Sequence, residues 1–533
     1  MSSTPPSAPL TGFEVFKQAY FNRPAIAMLL LGFSAGVPIL LIFSSLGLWL
    51  REAGIDRATV TMFSWAALGY SFKFIWSPLV DVLPLPVLDK LGHRRSWLLL
   101  SQIFIITAII IMAMTDPTGA TLKIMAMGAV LLGFSAATQD IVIDAYRIES
   151  APSEMQTALS ASYVGGYRVG MIVSGAGALY LADFFGSTES VYNYVAWQKT
   201  YLIMACVMGV GVLTTLFVLR EPVKQSPKQP QSTADYARLV AVFALSVVSF
   251  VMIYRMMGGV LPDSKDALLG FLLGAVRFLL SGVAMFVVGY LLVQIGVVKK
   301  DVAVKTWIAP ITDFFYRYGN QALMLLLLIG LYRISDIVAG NISNLFYQDL
   351  GFSKTQIANA VKVVGVIASI GGGFVGGWIA QKIGVMRAMM VGALLACITN
   401  LMFIGLFYTP SGVVLVNEQL SLANHVWTLH MELRNVAMYS AVIVDNLAAG
   451  LASAVFIAFL SALTSIRFTA VQYALFSSLM TLSPKILGGY SGAIVDATSY
   501  PVFFMITFII GIPVLYLVYW VHKKIPLNGD VAQ

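Results

Sequence analysis

Ten ionisable side chains stand inside stretches of this sequence that are otherwise fit for hydrocarbon: Lys73, Asp140, Asp144, Arg168, Arg277, Arg333, Asp336, Lys362, Asp445 and Lys485. A charge at bilayer depth costs about 2.5–3.5 kcal/mol on insertion scales unless it faces protein or water, so each is a functional candidate. An acid there can hold or release a proton as its neighbours and its water change. Asp140 and Asp144 are four apart and share one helix face; Arg333 and Asp336 are three apart and can pair. Arg277 sits apart from the rest and reads as a snorkelling or structurally paired base. Without it, five bases (Lys73, Arg168, Arg333, Lys362, Lys485) meet three acids (Asp140, Asp336, Asp445), with Asp144 nearer a helix end. Such a cavity is slightly positive. It suits a solute bearing carboxylates or phosphates and leaves an acid to titrate with coupled protons. The alternative is a set of neutral ion-pair networks that hold helices together.

The elements that must position these groups follow from composition. Hydrophobic residues make up 59% of 533 positions and charged residues 11%, with a mean hydropathy of +0.84. A soluble chain carries roughly 25% charged residues, so lipid must be the solvent for most of this one. A span needs roughly 20 apolar residues. Runs of that kind fall at 24–50, 59–82, 96–114, 121–145, 156–183, 200–219, 237–257, 267–296, 321–346, 356–381, 388–408, 436–461, 470–495 and 500–521. These must be helices, because an open sheet edge cannot be satisfied in hydrocarbon. The expected fold is an all-α integral membrane protein of about 14 spans. No signal peptide precedes the first span, which is expected to double as the targeting signal.

Basic residues punctuate the span ends. With the N-terminus cytoplasmic, 19 of the 33 Lys and Arg fall inside, 8 outside and the remaining 6 within spans. The positive-inside rule then puts both termini in the cytoplasm. The net charge of +8 forms no continuous patch, so nucleic acid is not an expected partner. The chain divides into a segment 1–23, six spans over 24–219, a linker 220–236, a two-span hairpin 237–296, a second linker 297–320, six spans over 321–521 and a tail 522–533. The linker 220–236 (REPVKQSPKQPQSTADY) has nothing to bury. The bilayer and a small-molecule solute are the expected partners, and we expect a monomer.

Three motifs are decoys. Gly32-Phe33-Ser34-Ala35-Gly36 fits a nucleophile elbow but lies inside an apolar helix. Gly371-Gly372-Gly373-Phe374-Val375-Gly376 fits a dinucleotide fingerprint with no strand before it. Small residues at such spacing let helices approach closely. His425, His430 and Glu432 lack the spacing of a metal site, so no metal is expected, and Cys206 and Cys397 read as buried small hydrophobes. No Walker sequence occurs, and no cofactor is expected. A proton gradient is the expected driving force.

The loop Asp89-Lys90-Leu91-Gly92-His93-Arg94-Arg95 resembles the D-R/K-x-G-x-R-R core of the major facilitator superfamily's cytoplasmic loop signature. GWIAQKIGVMR at 377–387 is similar to a degenerate second copy between the corresponding spans of the second half. The resemblance implies 6+6 transport helices around a two-helix central insertion. It also implies a conformational latch drawn from Asp81, Asp89, Gly92, Arg94 and Arg95.

A closer resemblance is carried by Lys73-Phe74-Ile75-Trp76-Ser77-Pro78-Leu79-Val80-Asp81, by SAATQDIVID at 135–144 and by GYRVGM at 166–171. LYRISD at 331–336, DNLAAG at 445–450 and FTAVQYALFSSL at 468–479 extend it. These resemble AmpG-type muropeptide permeases over roughly residues 20–220 and 315–520. The resemblance implies proton-driven import of N-acetylglucosaminyl-1,6-anhydro-N-acetylmuramic acid and its peptides across a Gram-negative inner membrane, for cell-wall recycling and, in many organisms, antibiotic-resistance signalling. Proton-coupling candidates are then Asp140, Asp144, Asp336 and Asp445. Substrate-binding candidates are Lys73, Trp76, Gln139, Tyr167, Arg168, Arg333, Asn359, Lys362 and Lys485, with Trp65, Tyr70 and Tyr163 as further sugar partners. Asp445 stands where the family is expected to hold Glu, and the 237–296 hairpin is absent from shorter members, hence expected to lie outside the path. Carriers of other anions, such as siderophores or acyl-CoA, are the nearest rivals. A non-transporting sensor would need an appended soluble domain, and an intramembrane hydrolase a Ser/His pair at depth.

Overall fold

The computed structural model describes residues 19–56, 59–60, 63, 66, 68–152, 155–187, 192–222, 232–262, 267–422, 425–488 and 491–525. Among them, 11 helices are long and apolar enough to cross a membrane. Among the described residues, the other expected spans hold shorter or interrupted helices. The chain separates into two compact units: Met1–Ile75, Leu85–Val223 and Asn320–Gln533 form one, Trp76–Pro84 and Lys224–Gly319 the other, so far as they are described.

In the larger unit the first half comprises α1 (Arg23–Glu52), α2 (68–82, of which Leu68–Ile75 belongs here), α3 (His93–Ala113), α4 (Leu122–Ser150), α5 (156–184) and α6 (Tyr194–Val218). Asn22 caps α1, its side chain accepting from the Ala25 amide. α1 and α5 are drawn together by glycines. A Cβ on Gly32 would lie 2.2 Å from the Tyr163 carbonyl oxygen, and one on Gly166 1.9 Å from that of Leu29. Gly36 and Gly170 repeat the arrangement one turn on, so the expected small-residue contact is real. Away from that seam, α1, α3, α4 and α6 share an apolar core in which Trp49 and Trp197 stack with centroids 5.6 Å apart. Polar groups anchor this end: Trp197 donates to Glu52 at 2.7 Å and Tyr192 to Asp116 at 2.9 Å. Burial pushes the Tyr192 phenol well above its ordinary range, so it stays a donor.

The second half comprises α10 (322–349), α11 (354–383), α12 (Val385–Tyr408), α13 (Leu433–Leu463), α14 (Thr469–Gly488), α15 (Ser491–Ala497) and α16 (Tyr500–Lys524), the labels α7 to α9 belonging to the smaller unit. Its α11 and α13 repeat the glycine device: Gly372 meets Leu447, Gly376 meets Leu451 and Gly450 meets the Ser369 carbonyl. Between α12 and α13 the sequence reads as a loop, but the structure holds an antiparallel ribbon, Val414–Leu422 with His425–Glu432, pairing Asn417 with His430 and Leu422 with His425. Alternating VLVN and HVWTLHM residues favour it. The side chains of His425 and His430 lie outside the described ones.

The smaller unit holds α7 (Thr233–Val260), α8 (Ala267–Gln294) and a helix α9 over 300–318, together with Trp76–Pro84. Residues 297–320 therefore form more than the expected linker.

Candidate functional site

Lys73 and Asp144 come together at 3.4 Å, both buried, and Asp144 also holds Arg147 at 3.3 Å. Arg147 sits at an inner span end by its sequence position, but α4 continues to Ser150 and buries the guanidinium completely. There Arg147 donates to Ser160 at 2.7 Å and to Ser461 of the second half at 2.9 Å, and lies over the Tyr473 ring at 5.1 Å. One carboxylate between two cations satisfies the rule that buried charges are paired. Nothing local in the sequence marks Arg147; Asp144 three residues before it is the only clue.

Asp140, one turn earlier, accepts only from the Tyr163 hydroxyl, at 3.4 Å, among the described residues. Lys73 and Asp144 are its charged neighbours, and Tyr70 and Tyr167 lie within its field. The Tyr163 and Tyr167 rings are 6.0 Å apart. Arg168 forms no ion pair among the described residues. The charged group in whose field it lies is Arg333 of the second half. Arg333 pairs with Asp336 and donates to Ser453 at 2.7 Å. Asp445 accepts from Thr399 at 3.0 Å and lies in the field of Arg333 and Asp336. Two charged clusters are thus assembled, Lys73, Asp140, Asp144 and Arg147 in the first half and Arg333, Asp336 and Asp445 in the second, with Arg168 of the first half in the field of Arg333.

Other candidates fall elsewhere. Gln139 is fully buried and accepts from Ser34 of α1 at 3.2 Å, so it faces the interior of the first half. Asn359 and Lys362 are exposed. Trp76 is buried and, like Asp81, belongs to the smaller unit. Lys485 lies on α14, its side chain outside the described ones, and Trp65 is outside the described residues altogether.

The expected latch is built differently from its signature. Asp89 is exposed. Arg94 instead takes Glu149, at 2.6 Å, and Thr469 of the second half at 2.9 Å. Glu221 caps the start of α3, accepting from the Arg94 and Arg95 amides at 2.8 and 3.2 Å, as orphan helix N–H groups require. Arg95 donates to the Thr215 and Leu216 carbonyls, Arg23 to Val218, each a cation at a helix C-terminus. Gly92 has φ +103° and ψ 158°, and Gly384 in the second copy has φ +86° and ψ 157°. At this left-handed position glycine is the residue of choice. The residue two beyond Gly384 is a buried Met386, so the second copy has no counterpart of Arg94.

Together with Tyr20, which donates to the Phe374 carbonyl at 2.9 Å, Arg94 and Arg147 pin the halves to each other at the end that carries these loops.

Two helical halves, each with charges at depth and joined at one end by breakable polar contacts, are the anatomy of an alternating-access carrier. The chain belongs to the Major Facilitator Superfamily, whose sequence model matches residues 24–303, and it is a carrier rather than an enzyme. Its relatives include the putative transporter AmpG 4 of Rickettsia felis, 29% identical over 93% of this chain and 96% of that one. The anhydromuropeptide permease of Escherichia coli K12 is 28% identical over 93% of this chain and 79% of that one. The resemblance to AmpG-type permeases is borne out by these relatives. Among solved structures, the proton:xylose symporter XylE aligns with a TM-score of 0.56 over 96% of this chain and 97% of that one, at 12% identity. The E. coli fucose:proton symporter FucP does so at 0.56 over 94% and 99%, at 10% identity. These two share the fold.

Proposed function

We propose that this chain imports anhydromuropeptides by proton symport across a Gram-negative inner membrane, entering from the periplasm, with both termini cytoplasmic. The substrate class is that of the E. coli relative, a permease for anhydromuropeptides. The observation that carries the mechanism is the division of labour between two acids four residues apart. Asp144 is held between Lys73 and Arg147, whereas Asp140 has, among the described residues, only a phenol for a direct partner. An acid so placed changes its proton most readily, because no bound cation must be released first. Asp140 is therefore the proton site, with Asp445 its opposite number in the second half.

Arg168 and Arg333 come from different halves, and like charges there oppose approach of the halves around them. A stem-peptide carboxylate between the two cancels that repulsion and lets the halves close on the cargo. The solute thus acts through differential affinity for two states, which is what coupling requires. The Tyr163 and Tyr167 rings offer faces for sugar.

Uptake of labelled anhydromuropeptide into vesicles with an imposed pH gradient tests this reading. Accumulation should follow the gradient in the wild type and vanish in Asp140→Asn, with carrier-mediated exchange of unlabelled for labelled cargo retained. Gradient-driven accumulation by that variant would remove Asp140 from the coupling step.

A further inference from the structure

Helix α9 has two apolar faces, and protein covers only one. Val302 and Ala303 are buried in a cluster with Leu79, Leu239, Val242 and Val298, against which Leu292 and Val293 also pack. Thr306, Pro310 and Phe314 continue that buried side. On the other side Val304, Ile308, Ile311 and Phe315 are exposed, by 41%, 51%, 43% and 47%. Their spacing of four, three and four residues forms a single stripe along a helix.

The packing fixes the depth of this stripe. Leu239 and Val242 belong to the second and third turns of α7, and Leu292 and Val293 to the last turn of α8. Each of those helices has 28 residues, about 42 Å at roughly 1.5 Å per residue, against a hydrocarbon core of roughly 30 Å. Their end turns therefore reach the headgroup region, and α9, packed on those turns, lies at the same level. Lys300, Lys305 and Arg317 outnumber Asp301 and Asp313 on this helix, a balance that suits phosphate headgroups. Gly319, at φ +50°, ends the helix before the chain turns into α10.

We propose that α9 is an interfacial helix that lays Val304, Ile308, Ile311 and Phe315 into the boundary between headgroups and acyl chains, so that the hairpin unit carries its own lipid-surface anchor. This surface is independent of the transport site and of its substrate. Water is excluded as the occupant by the stripe itself, since a soluble surface rarely aligns four large apolar side chains with nothing over them.

The test uses the full chain with Cys206→Ser and Cys397→Ser, and a single cysteine carried through positions 300–318, spin-labelled in vesicles of phosphatidylethanolamine and phosphatidylglycerol. Collision rates with oxygen, which concentrates in lipid, are compared with those of an aqueous nickel chelate. Labels at 304, 308, 311 and 315 should favour oxygen; those at 301, 305 and 312 should favour nickel; those at 302, 306, 310 and 314 should be shielded from both. Nickel preference along the 304–315 stripe would overturn the proposal by placing it in water. Shielding of that stripe from both reagents would overturn it by showing a protein cover, such as a second copy of the chain.

Discussion

Ser461→Ala removes one contact and leaves the rest of the buried charge cluster standing. Arg147 keeps Asp144 at 3.3 Å and Ser160 at 2.7 Å, so its charge is not orphaned. What disappears is the 2.9 Å hydrogen bond from Arg147 to the second half. A hydrogen bond to a charged group contributes about 1.5–3 kcal/mol, and Arg147 is fully buried, so solvent does not discount that range. Each 1.4 kcal/mol is a factor of about ten. The closed state of this end should therefore lose about 10- to 100-fold against states in which the halves part there. Spin labels at Pro152→Cys and Ile466→Cys, both exposed, report the separation by pulsed dipolar spectroscopy in a background lacking the native cysteines. The variant should show a longer-distance component that the wild type lacks. An unchanged distance distribution, with Thr469→Ala changing it as a positive control, would refute Arg147 as a fastener between the halves.

Arg168→Gln should weaken uptake of peptide-bearing cargo far more than that of its amidated analogue, and an equal loss for both would leave Arg168 without a role in reading carboxylates. Gly166→Leu should prevent α1 and α5 from meeting, because even a Cβ would lie 1.9 Å from a backbone oxygen; a fall in melting temperature larger than ordinary overpacking of about 1–3 kcal/mol produces is the expected readout in detergent. Deleting 237–296 and joining its flanks should leave substantial uptake by correctly inserted protein, as a separate compact unit allows, and its loss would make the hairpin part of the path.

Membrane class, the approximate spans and the charges at depth were legible in the sequence, because hydrocarbon imposes a local rule: about 20 residues with backbone bonds satisfied internally and few charges among them. Gly32, Gly36, Gly372 and Gly376 were legible as close-approach sites for the same local reason, since only their small size is needed. Which charge meets which was not. Arg147 looks like an ordinary inner-end cation until the tertiary fold sets it against Ser461, 314 residues away. Arg168 and Arg333 stand 165 residues apart in different halves, yet the fold brings Arg168 within the field of Arg333. The 414–432 ribbon and α9 carry no span signature in the sequence, the strands being 9 and 8 residues long and α9 mixing charged residues with its apolar ones. Depth is written along the chain; azimuth, the direction each helix face looks, comes only from the neighbours that helix packs against, and at this site azimuth decides the chemistry.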